Sequence, residues 1–364
     1  MPRFTWSTCV GLTLLTTLTA GALAAPAQAA TAGVASVTGT KVQYKAAKGK
    51  QNRVVVTRSG NTITVDDVVS VKPGTGCKKV NKTKVRCSTK TAPTRVRIYT
   101  YDRNDTIVNK TDLAATVDGG TGSDKITGGP RSDNLRGHTG SDQVWGLGGN
   151  DTVQGDNGND KLYGGDGNDY FLDGYGNDVV RGENGDDHVF SSSGDDRFYG
   201  DAGNDRFDMN QPIKGSYPTD DDLVSGGSGV DSAMYVYHSA AVSIDLDGAV
   251  GDDGMKGEKD TVAADIENLV GGFGNDRLVG NAGDNSLEAG EGKDVVYGLG
   301  GNDRVDGQQH ADKLYGGAGD DVVIGEDYIG GHAADLLDGG TNTANGDLCD
   351  VQSKDSPVGC ESVY

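Results

Sequence analysis

From residue 119 onward, large apolar residues recur singly, nine positions apart. They are Ile126, Leu135, Val144, Val153, Leu162, Phe171, Val180, Val189, Phe198 and Phe207. A second run holds Leu278, Leu287, Val296, Val305, Leu314 and Val323. The residues between them are mostly glycine or polar, so neither a 3.6-residue helical face nor a long alternating strand fits. The pattern predicts short strands with one inward side chain each, because successive side chains of a strand point to opposite faces. Two nonapeptides then make one coil of a thin two-sided roll, and equivalent positions fall 18 residues apart.

An aspartate stands two residues ahead of each apolar position in the first run: Asp124, Asp133, Asp142, Asp151, Asp160, Asp169, Asp178, Asp187, Asp196 and Asp205. The second run carries Asp276, Asp294, Asp303, Asp312 and Asp321, with Asn285 replacing one aspartate. Asp231 closes an isolated unit, Gly226-Gly227-Ser228-Gly229-Val230-Asp231. The whole unit reads G-G-x-G-x-D-x-U-x, where U is apolar. Its glycines permit positive φ and close backbone approach in a tight stacked turn. Arg131 replaces the fourth-position glycine once in the first block, and His310 does so in the second.

This nonapeptide resembles the repeats-in-toxin (RTX, haemolysin-type) calcium-binding proteins, and the likeness runs from Gly119 to about Asp338. It implies an all-β fold, an elongated parallel β-roll. It also implies multiple Ca2+ ions held at the sixteen aspartates named above. Calcium takes six to eight oxygen ligands, carboxylates and backbone carbonyls among them, and stacked turns with one aspartate each supply that chemistry. Carboxylates one strand spacing apart, about 4.8 Å, repel by roughly 1 kcal/mol per pair even at the dielectric of water. The repeats are therefore expected to need the metal to fold.

The flanks read differently. A basic start, a mostly apolar stretch from Cys9 to Ala25 and Ala27-Gln28-Ala29 suggest a secretory signal peptide over residues 1–29. Residues 30–118 read as a small basic β region that caps the roll. Val42, Tyr44 and Ala46 alternate with polar residues, and Val54–Val56 and Ile63–Val65 flank a turn at Ser59-Gly60-Asn61. Asn104-Asp105-Thr106-Ile107 resembles a degenerate half-repeat. The first repeat block spans 119–208, an interrupted and degenerate stretch of roll spans 209–270, and the second block spans 271–338. Residues 339–364 are expected to form a non-repeating cap. Beyond Cys9, the four cysteines form two local pairs, Cys77 with Cys87 and Cys349 with Cys360. Local disulfides that close the ends are the expected connectivity in an exported chain.

The net charge of −21 is unevenly spread. Residues 31–118 hold 17 Lys and Arg against 6 Asp and Glu, a net +11; residues 119–364 hold 15 against 48, a net −33. The acidic part suits calcium. The basic part could touch an anionic cell-envelope polymer or the acidic roll itself, but a solvated basic surface is the favoured explanation. Nothing points to nucleic acid or to a membrane span. No H-E-x-x-H, G-x-S-x-G or phosphate-loop motif occurs. The five histidines fall at unrelated repeat positions and are expected on the surface. RTX proteases, lipases and epimerases carry a separate catalytic module, and residues 31–118 are too short and motif-poor for one. The signal peptide and cysteines make the chain similar to the disulfide-capped RTX proteins of actinobacteria. A secreted, non-enzymatic calcium-binding protein with a structural or surface role is the expectation. The alternative is a secreted hydrolase-type enzyme with a cryptic site in 31–118 or 209–270.

Overall fold

Each isolated apolar residue becomes the centre of one short strand, and the glycine-rich turn sends the chain back along the opposite face. The computed structural model describes residues 31–209, 220–325, 333–341 and 346–363; the expected signal peptide lies outside them. On one face Lys125–Gly129, Gln143–Gly148, Lys161–Asp166, Val179–Asn184 and Arg197–Ala202 pair in parallel. On the other face the parallel series is Asn134–Thr139, Thr152–Asn157, Tyr170–Tyr175, His188–Phe190 and Arg206–Asp208. The register is 18 residues throughout, with Ile126 opposite Val144 and Leu135 opposite Val153. Every apolar residue of both runs is buried. The core is thus two facing columns, one side chain per strand. The described residues contain strands and no helix.

Residues 31–118 extend both faces before closing them. Arg95–Tyr99 pairs in parallel with Ala114–Thr121, and Lys41–Lys45 with Arg95–Tyr99. On the second face Arg53–Ser59 pairs with Thr106–Lys110, which pairs with Lys125–Gly129. Antiparallel pairings then enter both sheets, and on the first a short strand, Val71–Pro73, adds in parallel to Gly33–Thr38. Gly33–Thr38 returns along Lys41–Lys45; Thr62–Asp66, Lys84–Ser88 and Cys77–Lys79 follow Arg53–Ser59. The turn at Gly60-Asn61 joins Ser59 to Thr62 as a hairpin. Cys77 is bonded to Cys87 across the last of these pairs.

Between the two blocks one coil is expanded. The first face passes straight through, Arg206–Asp208 to Ser232–Met234 to Asn268–Val270 to Ser286–Glu288. The second face does not. Leu223–Ser228 pairs with Thr261–Val262, whereas Val242–Asp245 pairs forward with Arg277–Val279 and begins a separate sheet. One face is therefore a single sheet of seventeen strands, and the other is divided into sheets of twelve and seven.

The expected non-repeating tail is coiled as well. Leu348–Asp350 pairs with Val322–Ile324, Ser356–Val358 with Leu336–Thr341, and Ser362–Val363 with Leu348–Asp350. Cys349 is fully buried and takes the place of the apolar residue in the core column. A half-cystine is small and apolar enough to do so. Its disulfide partner is Cys360.

Because each strand contributes one core residue, its loss leaves a hole that neighbouring coils cannot fill. Phe198→Ala should cost about 3–5 kcal/mol in saturating calcium, read from the urea midpoint. A loss below about 1 kcal/mol would show that the column repacks.

Candidate metal centre

The turns that join the faces stack on two edges, and the glycine requirement is steric. Gly149, Gly167 and Gly185 have φ of 94°, 126° and 123°. A Cβ on Gly167 would stand 2.8 Å from the carbonyl oxygen of Gly149, one coil away. At the first repeat position a Cβ on Gly128 would stand 2.5 Å from Asp133 Oδ2 and 2.7 Å from the carbonyl oxygen of Gly146. Glycine there keeps open a hollow bounded by a carboxylate oxygen and a carbonyl of the next coil.

Most of the repeat aspartates are held through Oδ1 by the amide of the preceding coil. The backbone N–H of Asp124 donates to Oδ1 of Asp142 at 2.6 Å, that of Asp142 to Asp160 at 2.7 Å, and that of Asp160 to Asp178 at 2.7 Å. Asp178 donates to Asp196 on the same edge. The other edge runs Asp133, Asp151, Asp169, Asp187, Asp205, Asp231 in the same manner. Asp276 to Asp294 to Asp312, and Asp303 to Asp321, repeat it in the second block.

The second oxygen is left open. Oδ2 of Asp124, Asp142, Asp151, Asp160, Asp169, Asp178, Asp187, Asp196, Asp205, Asp231, Asp294, Asp303 and Asp321 is buried without a hydrogen-bond partner. An unmatched buried polar atom costs about 1–3 kcal/mol, more if charged. Ten of them face a hollow left open by a first-position glycine, and Asp173, Ser191 and Ala289 stand at that position for Asp178, Asp196 and Asp294. Such oxygens suit a hard divalent cation, which takes carboxylate and carbonyl oxygens together.

Three positions differ. Asp133 Oδ2 accepts from Gly129 N–H and Asp276 Oδ2 from Gly272 N–H, both at 2.7 Å, so their own turns occupy them. The Asp133 turn is the one with Arg131 in place of glycine. Asn285 keeps the ladder bond to Asp303 Oδ1, but its side chain accepts from Asn281 N–H and donates to the Glu267 carbonyl. It fills its hydrogen-bonding capacity within the chain and leaves no anionic oxygen for a cation.

A model of the RTX calcium-binding nonapeptide repeat matches residues 118–153, 145–172, 173–207, 270–305 and 297–327. Residues 118–207 and 270–327 are thus RTX calcium-binding repeats. No curated protein matches the chain. The RTX repeats bind calcium, and the buried aspartate arrays fit multiple calcium ions.

The RTX ladder reaches beyond the nonapeptides. Asp105 N–H donates to Asp124 Oδ1, and Asn52 N–H donates to Asp105 Oδ1. Asp196 is followed by Asp222 and then Asp260, Asp231 by Glu267, Asp312 by Asp335 and Asp321 by Asp347. Oδ2 of Asp105 and of Asp347 is also buried and unpartnered. Most of these escape a search for period nine because insertions lengthen the coil. Asp105-Thr106-Ile107, Asp222-Leu223-Val224, Asp260-Thr261-Val262, Asp335-Leu336-Leu337 and Asp347-Leu348-Cys349 still carry the aspartate two residues ahead of a core residue. That triplet, without the glycines, is the signal that finds them.

The histidines divide. His138 lies between Asp118 and Asp156 at 3.0 and 3.2 Å, and His188 meets Asp208 at 2.8 Å. His238 corrects the surface expectation. It is only 5 % exposed, packs on Tyr235 and donates from Nδ1 to the Tyr235 carbonyl. Burial lowers its pKa to about 4. His332 lies outside the described residues.

In the metal-free fold, burial pushes Asp124, Asp178 and Asp205 up to about 7 and Asp151, Asp160 and Asp187 up to about 8. The unfolded chain keeps them near 3.9. A folded pKa above the unfolded one stabilises the fold fully below the unfolded value, and that stability is lost as pH rises through the folded value. In chelator, β content by circular dichroism should therefore rise as pH falls from about 8 toward 4. An apo roll that loses order over that range would contradict the assignment. With calcium present, the same protonation should release the metal. Asn285→Asp should add about one calcium per chain by metal analysis.

Proposed function

We propose that the protein is a secreted calcium-binding structural protein, and that calcium completes its fold. The aspartates at 124, 142, 151, 160, 169, 178, 187, 196, 205, 231, 294, 303, 312 and 321 would hold the ions. Asp133 and Asp276 contribute weakly because backbone amides already occupy both their oxygens. The observation that carries this reading is the array of buried Oδ2 atoms without donors. Each turn presents an anionic oxygen beside carbonyls of the adjacent coil, and the ladder bond through Oδ1 fixes its aim. The bound ion supplies the positive charge that the stacked carboxylates lack. The array therefore binds the ion and orders the turns around it.

The expected signal peptide and the two disulfides support an extracellular setting, where millimolar calcium is met. The division into a basic capping region, two repeat blocks joined by a degenerate stretch of roll, and a closed tail belongs to the same proposal. An anionic envelope polymer as partner rests on the +11 charge of residues 31–118 alone.

Circular dichroism of the mature chain tests the core of this reading. At pH 7.5 in chelator the repeats should be largely disordered, and millimolar calcium should restore the β signal. With dissociation constants of about 0.1–1 mM, about 1 mM calcium adds roughly 0.4–1.4 kcal/mol per site. Magnesium should substitute poorly, because it demands a smaller, near-octahedral shell. Full β content in chelator, or only one or two calcium ions per saturated chain, would refute the proposal.

A further inference from the structure

The first repeat position is glycine in eight of the ten units of the first block; Asp173 and Ser191 are the exceptions. We propose that Asp173 converts the turn between the coils of Asp178 and Asp196 into a three-carboxylate calcium site, which fills before the others. This rests on the reading above but assigns a ligand that the repeat pattern does not contain.

The geometry singles out this turn. Ligand atoms of Asp173, Asp178 and Asp196 all lie within 4.8 Å of one another, and each of the three residues is 0 % exposed. Oδ2 of Asp178 and of Asp196 has no hydrogen-bond partner, so two unmatched oxygens accompany the added carboxylate. Asp173 does not swing freely. Gly174 N–H donates to its Oδ1 at 2.5 Å and Ser192 N–H, from the next coil, to its Oδ2 at 3.3 Å. The side chain thus occupies the hollow that glycine leaves open elsewhere, and backbone amides of two coils fix it there. None of the three carboxylates forms a salt bridge with a basic side chain among the described residues.

Charge gives the direction of the effect. An ordinary turn offers a divalent ion two aspartates, whereas this one offers three. Calcium affinity rises with the number of charged ligands and with the rigidity of the site. Three carboxylates whose ligand atoms lie within 4.8 Å of one another, with no basic side chain paired to them among the described residues, repel one another, and a cation relieves that repulsion. The position of the site also matters. The next ladder step, from Asp196 to Asp222, spans 26 residues and is the first break of the 18-residue rule within the repeats. A site that fills early orders the coil on which that longer step is laid.

The test is calcium competition on the full mature chain against chelators of graded affinity, with bound calcium counted by metal analysis. The wild type should show one ion held on the order of tenfold more tightly than the rest. Asp173→Gly restores the residue of the other repeats, and Asp173→Asn keeps the shape without the charge. Both should lose the tight class, hold the remaining ions with unchanged affinity and give wild-type circular dichroism in saturating calcium. An unchanged tight class in both variants would overturn the inference, as would a wild type with a single uniform class. Tighter binding by Asp173→Gly would overturn it too, since the carboxyl would then be a plug in the site. If neither wild type nor variants take up calcium, the proposed function fails along with the inference.

Discussion

The amide of each repeat aspartate donates to the carboxylate of the aspartate one coil further along, and the rest of the molecule depends on that bond. It is directional, so it fixes which carboxylate oxygen faces the backbone and which faces the hollow. It recurs at about 2.7 Å in nearly every coil. The backbone bonds of the strands would tolerate several side chains at this position. The ladder tolerates aspartate and, with a longer reach, glutamate, as Glu267 shows; Asn285 joins it only as a donor, through its backbone amide. The cost of such order is a row of buried anionic oxygens at strand spacing, which water does not reach. Such a row calls for a cation, and the repeats that carry it bind calcium.

Much of this was legible in the chain, because a solenoid copies one local rule. The nine-residue spacing of single apolar residues gave strand length and core, and the aspartates two residues earlier gave both edges. The paired cysteines marked the ends. What escaped was whatever depended on coil length. An insertion of eight residues carries the ladder from Asp196 to Asp222, and the 18-residue rule has no means to foresee it. The expanded coil was harder still, since Val242–Asp245 pairs forward with Arg277–Val279 while Thr261–Val262 pairs back with Leu223–Ser228. No local pattern encodes a choice between neighbours on either side. The tail hid its coils because Cys349 reads as a disulfide partner before it reads as a core residue. Asp133 looked like every other repeat aspartate until its own turn was seen to occupy it.

The insertions are unevenly placed, and this distinguishes the edges. The lengthened links, from Arg206–Asp208 to Leu223–Ser228, from Ser232–Met234 to Thr261–Val262 and from Val322–Ile324 to Leu336–Thr341, all lead from one face to the opposite face. The returning edge, from Asp133 through Asp231, keeps an uninterrupted stack of short turns until the jump to Glu267. As far as Asp231, one edge thus accepts sequence of varied length while the other holds the repeat. A roll can vary on one side only if the second side keeps the coils in step.

Pro357 lies in Ser356–Val358, the outermost described strand of its sheet, and it has no N–H to offer a further strand. At the opposite end Cys77–Lys79 presents the exposed Lys78 and Lys79 along its outer sheet margin. Charge and proline are the usual means of blunting a free sheet margin. A parallel stack with identical rungs is, in principle, a seed for indefinite growth, since each copy could dock on the last. Dissimilar and unreceptive rims at its two ends favour separate particles of set size over fibres.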